Sequence, residues 1–181
     1  ESLIKSFKKF FYAFLSKTNA DRLMRVAGEA NSMFSKFLVG KVIDSIIIGI
    51  MCFIGMLVIK APYALLISLI VGATNMIPYI GPIFGAIPAV ILTLFNDPVK
   101  AFWVFLFILA LQQFDGWILG PKILGDSVGL TPIWVIVGVL VGGGLFGVAG
   151  MIIGVPVVAV IRVFLIHSTE KRLKTKNLDI T

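Results

Sequence analysis

Two stretches of this chain, 61–96 and 127–161, contain no charged residue, and each is broken near its middle by glycine and proline. Their lengths, 36 and 35 residues, decide what they can become. One bilayer crossing takes about 20 apolar residues, so two crossings and a turn take roughly 40. These segments are too long for one spanning helix and slightly short for two. Helical hairpins with tips in or near the membrane fill that gap. Broken helices persist in lipid only where protein or a water-filled cavity satisfies the freed backbone. Paired in corresponding halves of a chain, they point to a transporter's binding site. The expected fold is all-α: a polytopic membrane protein with helix-plus-broken-hairpin units arranged as an inverted repeat.

Composition supports the membrane class. The 181 residues are 59% hydrophobic and 14% charged, with a mean hydropathy of +1.04, far from a soluble average. The chain opens on Glu1 with a basic helix already under way, which reads as a fragment of something longer, and no cleavable signal peptide precedes the first long apolar run. Cys52 is the single cysteine, so a disulfide within the chain is excluded.

The net charge of +7 is distributed as membrane flanks. Eight basic residues lie in 1–41 and five between Arg162 and Lys176, leaving Lys60, Lys100 and Lys122 between them. That pattern excludes a nucleic-acid groove and implies contact with membrane lipids.

Residues 1–41 are expected to form basic amphipathic helices at the cytoplasmic membrane face. Leu3, Phe7, Phe10 and Phe14 share a helical face, which suits the headgroup region or packing on another part of the protein. Thr18 and Asp21 stand at capping-box spacing. The transport core, 42–166, then divides into helix 42–59, hairpin 62–95, helix 98–120 and hairpin 131–166, followed by a basic cytoplasmic tail, 167–181. Asp97-Pro98 and Thr131-Pro132 read as cap-plus-proline helix starts.

The hairpins resemble each other. Pro62 and Gly72 match Pro132 and Gly142, and Gly81, Gly85 and Pro88 match Gly150, Gly154 and Pro156 within a residue or two. A helix plus a hairpin crosses the membrane an odd number of times whether the hairpin is re-entrant or fully spanning, so the second unit is expected to be inverted. The amino-terminal segment, the Lys122 loop and the tail then share one side with 14 of the 16 basic residues. By the positive-inside rule that side is cytoplasmic.

The strongest local signal is IPYIGPIFGAIPA at 77–89. Around Pro78, Tyr79, Gly81 and Pro82 a regular helix cannot continue, so backbone groups are expected to face a ligand, with the restarting helix aiming its positive end at the break. A packed tip without ligand is the alternative. Asn75, within the apolar arm, either meets a ligand or satisfies the tip. Helix 98–120 carries Gln112, Gln113 and Asp115, with Gln112 and Asp115 on one face. Ionisable groups at membrane depth usually face a cavity or partner; the alternative is that the helix has already left the bilayer. Asp44, three residues from Lys41, reads as an interfacial pair. Gly147 and Gly150 mark the second tip.

Other chemistries fail on residue type. Gly142, Gly144 and Gly147 form a GxGxxG without the strand before it or the acid about 20 residues later that a dinucleotide fold requires. Gly138/Gly142, Gly143/Gly147 and Gly150/Gly154 instead permit close helix approach. No Walker motif is present, the single histidine is His167, and Asp44 and Asp115 lack the GxGD setting of an intramembrane protease. No enzyme and no cofactor is expected.

At these residues the chain resembles the autoinducer-2 exporter family of PerM-like bacterial permeases, over roughly 35–166. The resemblance rests on the 77–89 segment, on QQFDGWILGPKILGDSVGLTPIW at 112–134 and on VGGGLFGVAGMIIGVPVVAVI at 141–161. The family's Gln, acid and Pro pattern falls on Gln112, Asp115 and Pro121. Many members carry His where this chain has Thr131, and Gln where it has Lys41. The resemblance implies the carboxy-terminal half of a multi-pass inner-membrane protein and a homo-oligomer. Some members export autoinducer-2, while others resemble sodium/proton antiporters. The expected function is a secondary transporter exporting a small polar solute by movement of the hairpins, whose tips would converge at mid-membrane. A cation antiporter with Asp115 titrating, and a non-transporting scaffold binding lipid or a partner, are the alternatives.

Overall fold

This computed structural model describes residues 12–13, 17–124 and 130–175, which form helices and turns with no strand among them. The amphipathic helix expected over 1–17, the Thr18 side chain, Asp126, His167 and the end of the basic tail lie outside what it describes. Helix α1, Lys17–Ile59, runs 43 residues through position 41 without a break, about 65 Å at 1.5 Å per residue. Its end is a Schellman motif built on a lysine. Lys60 takes the left-handed conformation (φ 55°), its N–H donates to Leu57 O at 3.1 Å, and Ala61 N–H donates to Met56 O at 2.9 Å.

The chain then folds back as the first hairpin. Its arms, α2 (Ala64–Thr74, 11 residues) and α3 (Gly81–Leu94, 14 residues), measure about 16 and 21 Å, short of the roughly 30 Å hydrocarbon thickness. Tyr79 turns the tip in the left-handed conformation (φ 63°). The arms close on glycine: a Cβ on Gly81 would sit 1.9 Å from Thr74 O, and one on Gly85 2.6 Å from Thr74 Oγ1.

Helix α4, Pro98–Phe114, starts as its cap-plus-proline signal predicts. Asp97 accepts from Val99 N at 3.0 Å and Lys100 N at 3.2 Å, with Pro98 in the first turn. It runs into a π-helical turn, Asp115–Leu119, and a last short helix, α5 (Gly120–Leu124). Helix α6, Pro132–Thr175, is a second hairpin: Phe146 and Gly147 leave helical geometry, Gly147 at φ 61°, ψ −145°. Its arms pair Gly142 with Gly150 and Gly138 with Gly154, where added Cβ atoms would lie 2.0–2.9 Å from the facing carbonyl oxygens. The glycines matched between the hairpins by sequence thus do the same task, admitting the first arm against the second. Gly143/Gly147 does not: Gly143 faces the Met151 side chain, and Gly147 is the turn itself.

Two apolar clusters hold these pieces together. One joins Ile48, Cys52 and Met56 of α1 to Ile67 and Val71 of α2, Ala89 of α3, and Val104, Ile108 and Leu111 of α4. The second joins Phe37 of α1 and Ile77 of the first tip to Val139 and Val155 of α6. Close approaches fix the registers: Gly49 and Gly72 bring α1 and α2 nearly backbone to backbone, and the Phe107 ring of α4 fills the place where Gly55 of α1 lacks a side chain. Large apolar residues cover the outside, among them Val58, Leu69, Phe84, Phe102, Trp117 and Leu140. In water this surface would aggregate; in a bilayer it is the lipid face. Three helical stretches, Met24–Ile59, Pro98–Ile123 and Pro132–Leu165, are long and apolar enough to cross.

Candidate functional site

The buried face of α1 recurs at Phe37, Lys41, Asp44, Ile48, Cys52 and Met56. Steps of three and four keep these positions on one helical stripe. Lys41 and Asp44 therefore point where the core points, between its two apolar clusters. Their ion pair has the expected spacing but not the expected setting. Lys41 Nζ lies 2.6 Å from Asp44 Oδ2, and the Asp44 side chain is fully buried, so the pair is internal rather than interfacial.

Asn75 closes over it. The Asn75 N–H still donates to Val71 O at 3.1 Å, holding the residue at the end of α2, while its side chain leaves the turn inward. Asn75 Nδ2 donates to Asp44 Oδ2 at 3.1 Å and to Asp115 Oδ2 at 3.3 Å. Asp115 arrives from the other side, as the next step of α4's buried stripe, Ala101, Val104, Ile108 and Leu111. The π turn has a local cause. Pro121 has no N–H, and its ring would collide with the carbonyl four residues earlier. The widened turn ahead of it, closed by Gly120 N–H to Asp115 O, accommodates the proline and sets Asp115 at the bulge. Such bulges recur at functional sites.

Lys41, Asp44 and Asp115 are the charged side chains that are buried among the described residues. Taking an ion out of water costs several kcal/mol unless it is paired and its remaining lone pairs are bonded. Here the bonding is incomplete. Asp44 Oδ1, Asp115 Oδ1, Gln112 Nε2 and Ser45 Oγ are buried without a hydrogen-bond partner. A half-satisfied ionic cluster inside a membrane protein is expensive to keep, which is the physical reason to read it as a site.

The sequence-derived candidates divide around this cluster. Asn75 and Asp115 are bonded within it, and Gln112 lies on the same face of α4. Gln113 is exposed. Pro78, Tyr79, Gly81 and Pro82 shape the tip but do not present free backbone to a ligand. The N–H groups of Asn75, Met76, Ile77, Ile80, Gly81, Ile83 and Phe84 all donate to nearby carbonyls, and the prolines have none. What the break presents is the Asn75 side chain. Gly147 and Gly150 stand apart: Gly150 packs on Gly142, and the turn beside Gly147 is exposed, with Phe146 at 76%. The first tip instead packs, through Ile77, on the arms of the second hairpin. Lys41 and Asp44 were missed as site residues, although extending the Ile48, Cys52, Met56 stripe backwards finds them.

Residues 3–170 match the family described as AI-2E family transporter. The chain belongs to the AI-2E transporter family. Among its relatives, YueF of Bacillus subtilis (strain 168) is 34% identical over 80% of this chain and 39% of its own length. YrrI of the same organism is 32% identical over 93% and 48%. The AI-2 transport protein TqsA of Escherichia coli (strain K12) is 32% identical over 72% and 38%. The chain spans less than half the length of these curated relatives. No solved structure matches it. As an AI-2E transporter with three candidate spans, it is a multi-pass protein of the bacterial inner membrane. Its family is one of transporters, in keeping with an apolar, lipid-facing exterior around a polar interior.

Proposed function

We propose that this chain is the core of a secondary transporter that exports a small polar solute such as AI-2, with the α2–α3 hairpin as its moving part. The observation that carries the reading is Asn75: the hairpin's one inward polar side chain holds, at 3.1 and 3.3 Å, a carboxylate from each of two long helices. Polar bonds that hold a short hairpin across a membrane interior can be exchanged for bonds to a polar cargo, whereas a greasy contact cannot. Both hairpins are re-entrant in this reading, their helix-plus-hairpin units are inverted with respect to each other, and the protein works as a homo-oligomer in contact with membrane lipids. Full-length protein in vesicles should release loaded AI-2 down an imposed gradient, and Asn75→Ala and Asp115→Asn should each slow it at least tenfold. Equal release by wild type, both variants and empty vesicles would end the proposal.

A second reading, a sodium/proton-type cation antiporter, is favoured by one separate observation. Asp44 Oδ1 and Asp115 Oδ1 are buried acceptors with no donor, and a cation satisfies such oxygens where a neutral solute need not. Sodium-driven proton movement in vesicles that disappears in Asp115→Asn distinguishes this reading from solute export.

A further inference from the structure

The cluster's charges do not balance. Lys41 contributes one positive charge and the two carboxylates contribute two negative ones; no other charged side chain is buried among the described residues. The ammonium is committed, 2.6 Å from Asp44 Oδ2 on its own helix. Asn75 is neutral and donates to the Oδ2 atoms of both acids. One negative charge is left over, and the two Oδ1 atoms are free to meet a ligand. Asp44 is fully buried, so bulk water does not compensate it. Room exists beside Asp115 because Gly120 has no side chain: a Cβ there would lie 4.0 Å from Asp115 Oδ1. The unpartnered Gln112 amide sits one helical step away, and rotating it by half a turn offers its oxygen instead of its nitrogen.

We propose that Lys41 sets the charge of the ion this cluster accepts: with its ammonium tethered to Asp44, the Asp44–Asp115 pair holds one monovalent cation and rejects divalent ones. The inference rests on the cation reading above and adds its selectivity. Two carboxylates alone match a divalent ion, whose oxygen ligands carry opposing charge. With a lysine between them the same pair matches a single positive charge. A divalent ion would leave the interior with an uncompensated positive charge, at a cost of several kcal/mol. Lys41 is thus a specificity-determining residue that does not itself touch the cargo. The glycine stripe, the apolar groove between α1 and α2 and the exposed second tip carry no comparable unpaired group.

The test is thermal denaturation of purified full-length protein at constant ionic strength, comparing sodium or lithium with choline and calcium or manganese with choline. Wild type should melt several degrees higher in sodium or lithium and show no shift in calcium or manganese. Lys41→Gln should gain a shift with calcium or manganese that the double variant Lys41→Gln, Asp115→Asn lacks. Asp115→Asn with Lys41 intact, in which the buried charges balance, should respond to neither class. A wild type stabilised by calcium as strongly as by sodium, or a folded Lys41→Gln protein indifferent to divalent ions, overturns the selectivity while leaving the cation reading in place. An Asp115→Asn protein that still responds to sodium overturns the site. No alkali response from wild type removes the cation reading and this inference together. Should Lys41→Gln not fold, Lys41→Arg keeps the charge and must remain silent to divalent ions; a divalent response there also overturns the selectivity.

Discussion

Asp44 and Asp115 come from different helices, yet each accepts a hydrogen bond from the same nitrogen, Asn75 Nδ2, at 3.1 and 3.3 Å. Remove that amide and two buried carboxylates face each other with only Lys41 to offset them. Hydrogen bonds to charged groups contribute about 1.5–3 kcal/mol each. Asn75→Ala is therefore expected to destabilise the protein by roughly 3 kcal/mol or more, measured by denaturation in detergent. Loss of less than about 1 kcal/mol would mean that the cluster does not hold the hairpin.

Gly81 and Gly28 offer a paired comparison. A Cβ at Gly81 would meet the Thr74 backbone oxygen at 1.9 Å, whereas one at Gly28 meets nothing within 4 Å. Gly81→Ala must separate the hairpin arms and should cost about 3 kcal/mol or more. Gly28→Ala, inside α1, should be neutral or stabilise by up to about 1 kcal/mol. Melting temperatures of the two variants should move in opposite directions or differ widely.

Lys60 ends α1 at φ 55°, in the place where a Schellman motif favours glycine. A side chain there costs on the order of 1 kcal/mol. Lys60→Gly should raise the melting temperature slightly, and its effect should not depend on salt, because the strain is in the backbone.

Sidedness follows from the inverted arrangement proposed above. The native cysteine, Cys52, is fully buried in the apolar core, so it gives a quiet background for labelling. Phe95, at the base of the first hairpin, is 85% exposed, and Lys122 is exposed at the other end of α4. A membrane-impermeant maleimide should label Phe95→Cys in intact cells and Lys122→Cys only after lysis. Labelling of both from outside would refute the orientation.

Local signals were legible where a short stretch of chain decides the outcome. Asp97-Pro98 announced a helix start, and 77–82 a broken turn, because caps and prolines act within one turn of backbone. Asn75 and Asp115 stood out as polar residues in greasy surroundings. The placement of Lys41 and Asp44 was not read correctly, because an i,i+3 ion pair near a helix end has the same spacing whether it is wet or buried. Only the fold of the first hairpin over α1 decides between the two. The second tip was expected to meet the first. Instead the Ile77 tip rests on the flanks of the other hairpin, because Gly138, Gly142, Gly150 and Gly154 hold those flanks together as one slab. The π turn left one local trace, Pro121, whose missing N–H was not followed back to Asp115.

The ring of Phe107 seated on bare backbone at Gly55 has a mechanical meaning for the whole assembly. It acts as a peg in a socket between the two longest uninterrupted rods of the core, and a peg of that size blocks axial sliding of one rod past the other. Whatever rearranges during a working cycle must therefore pivot around this pillar and leave it intact.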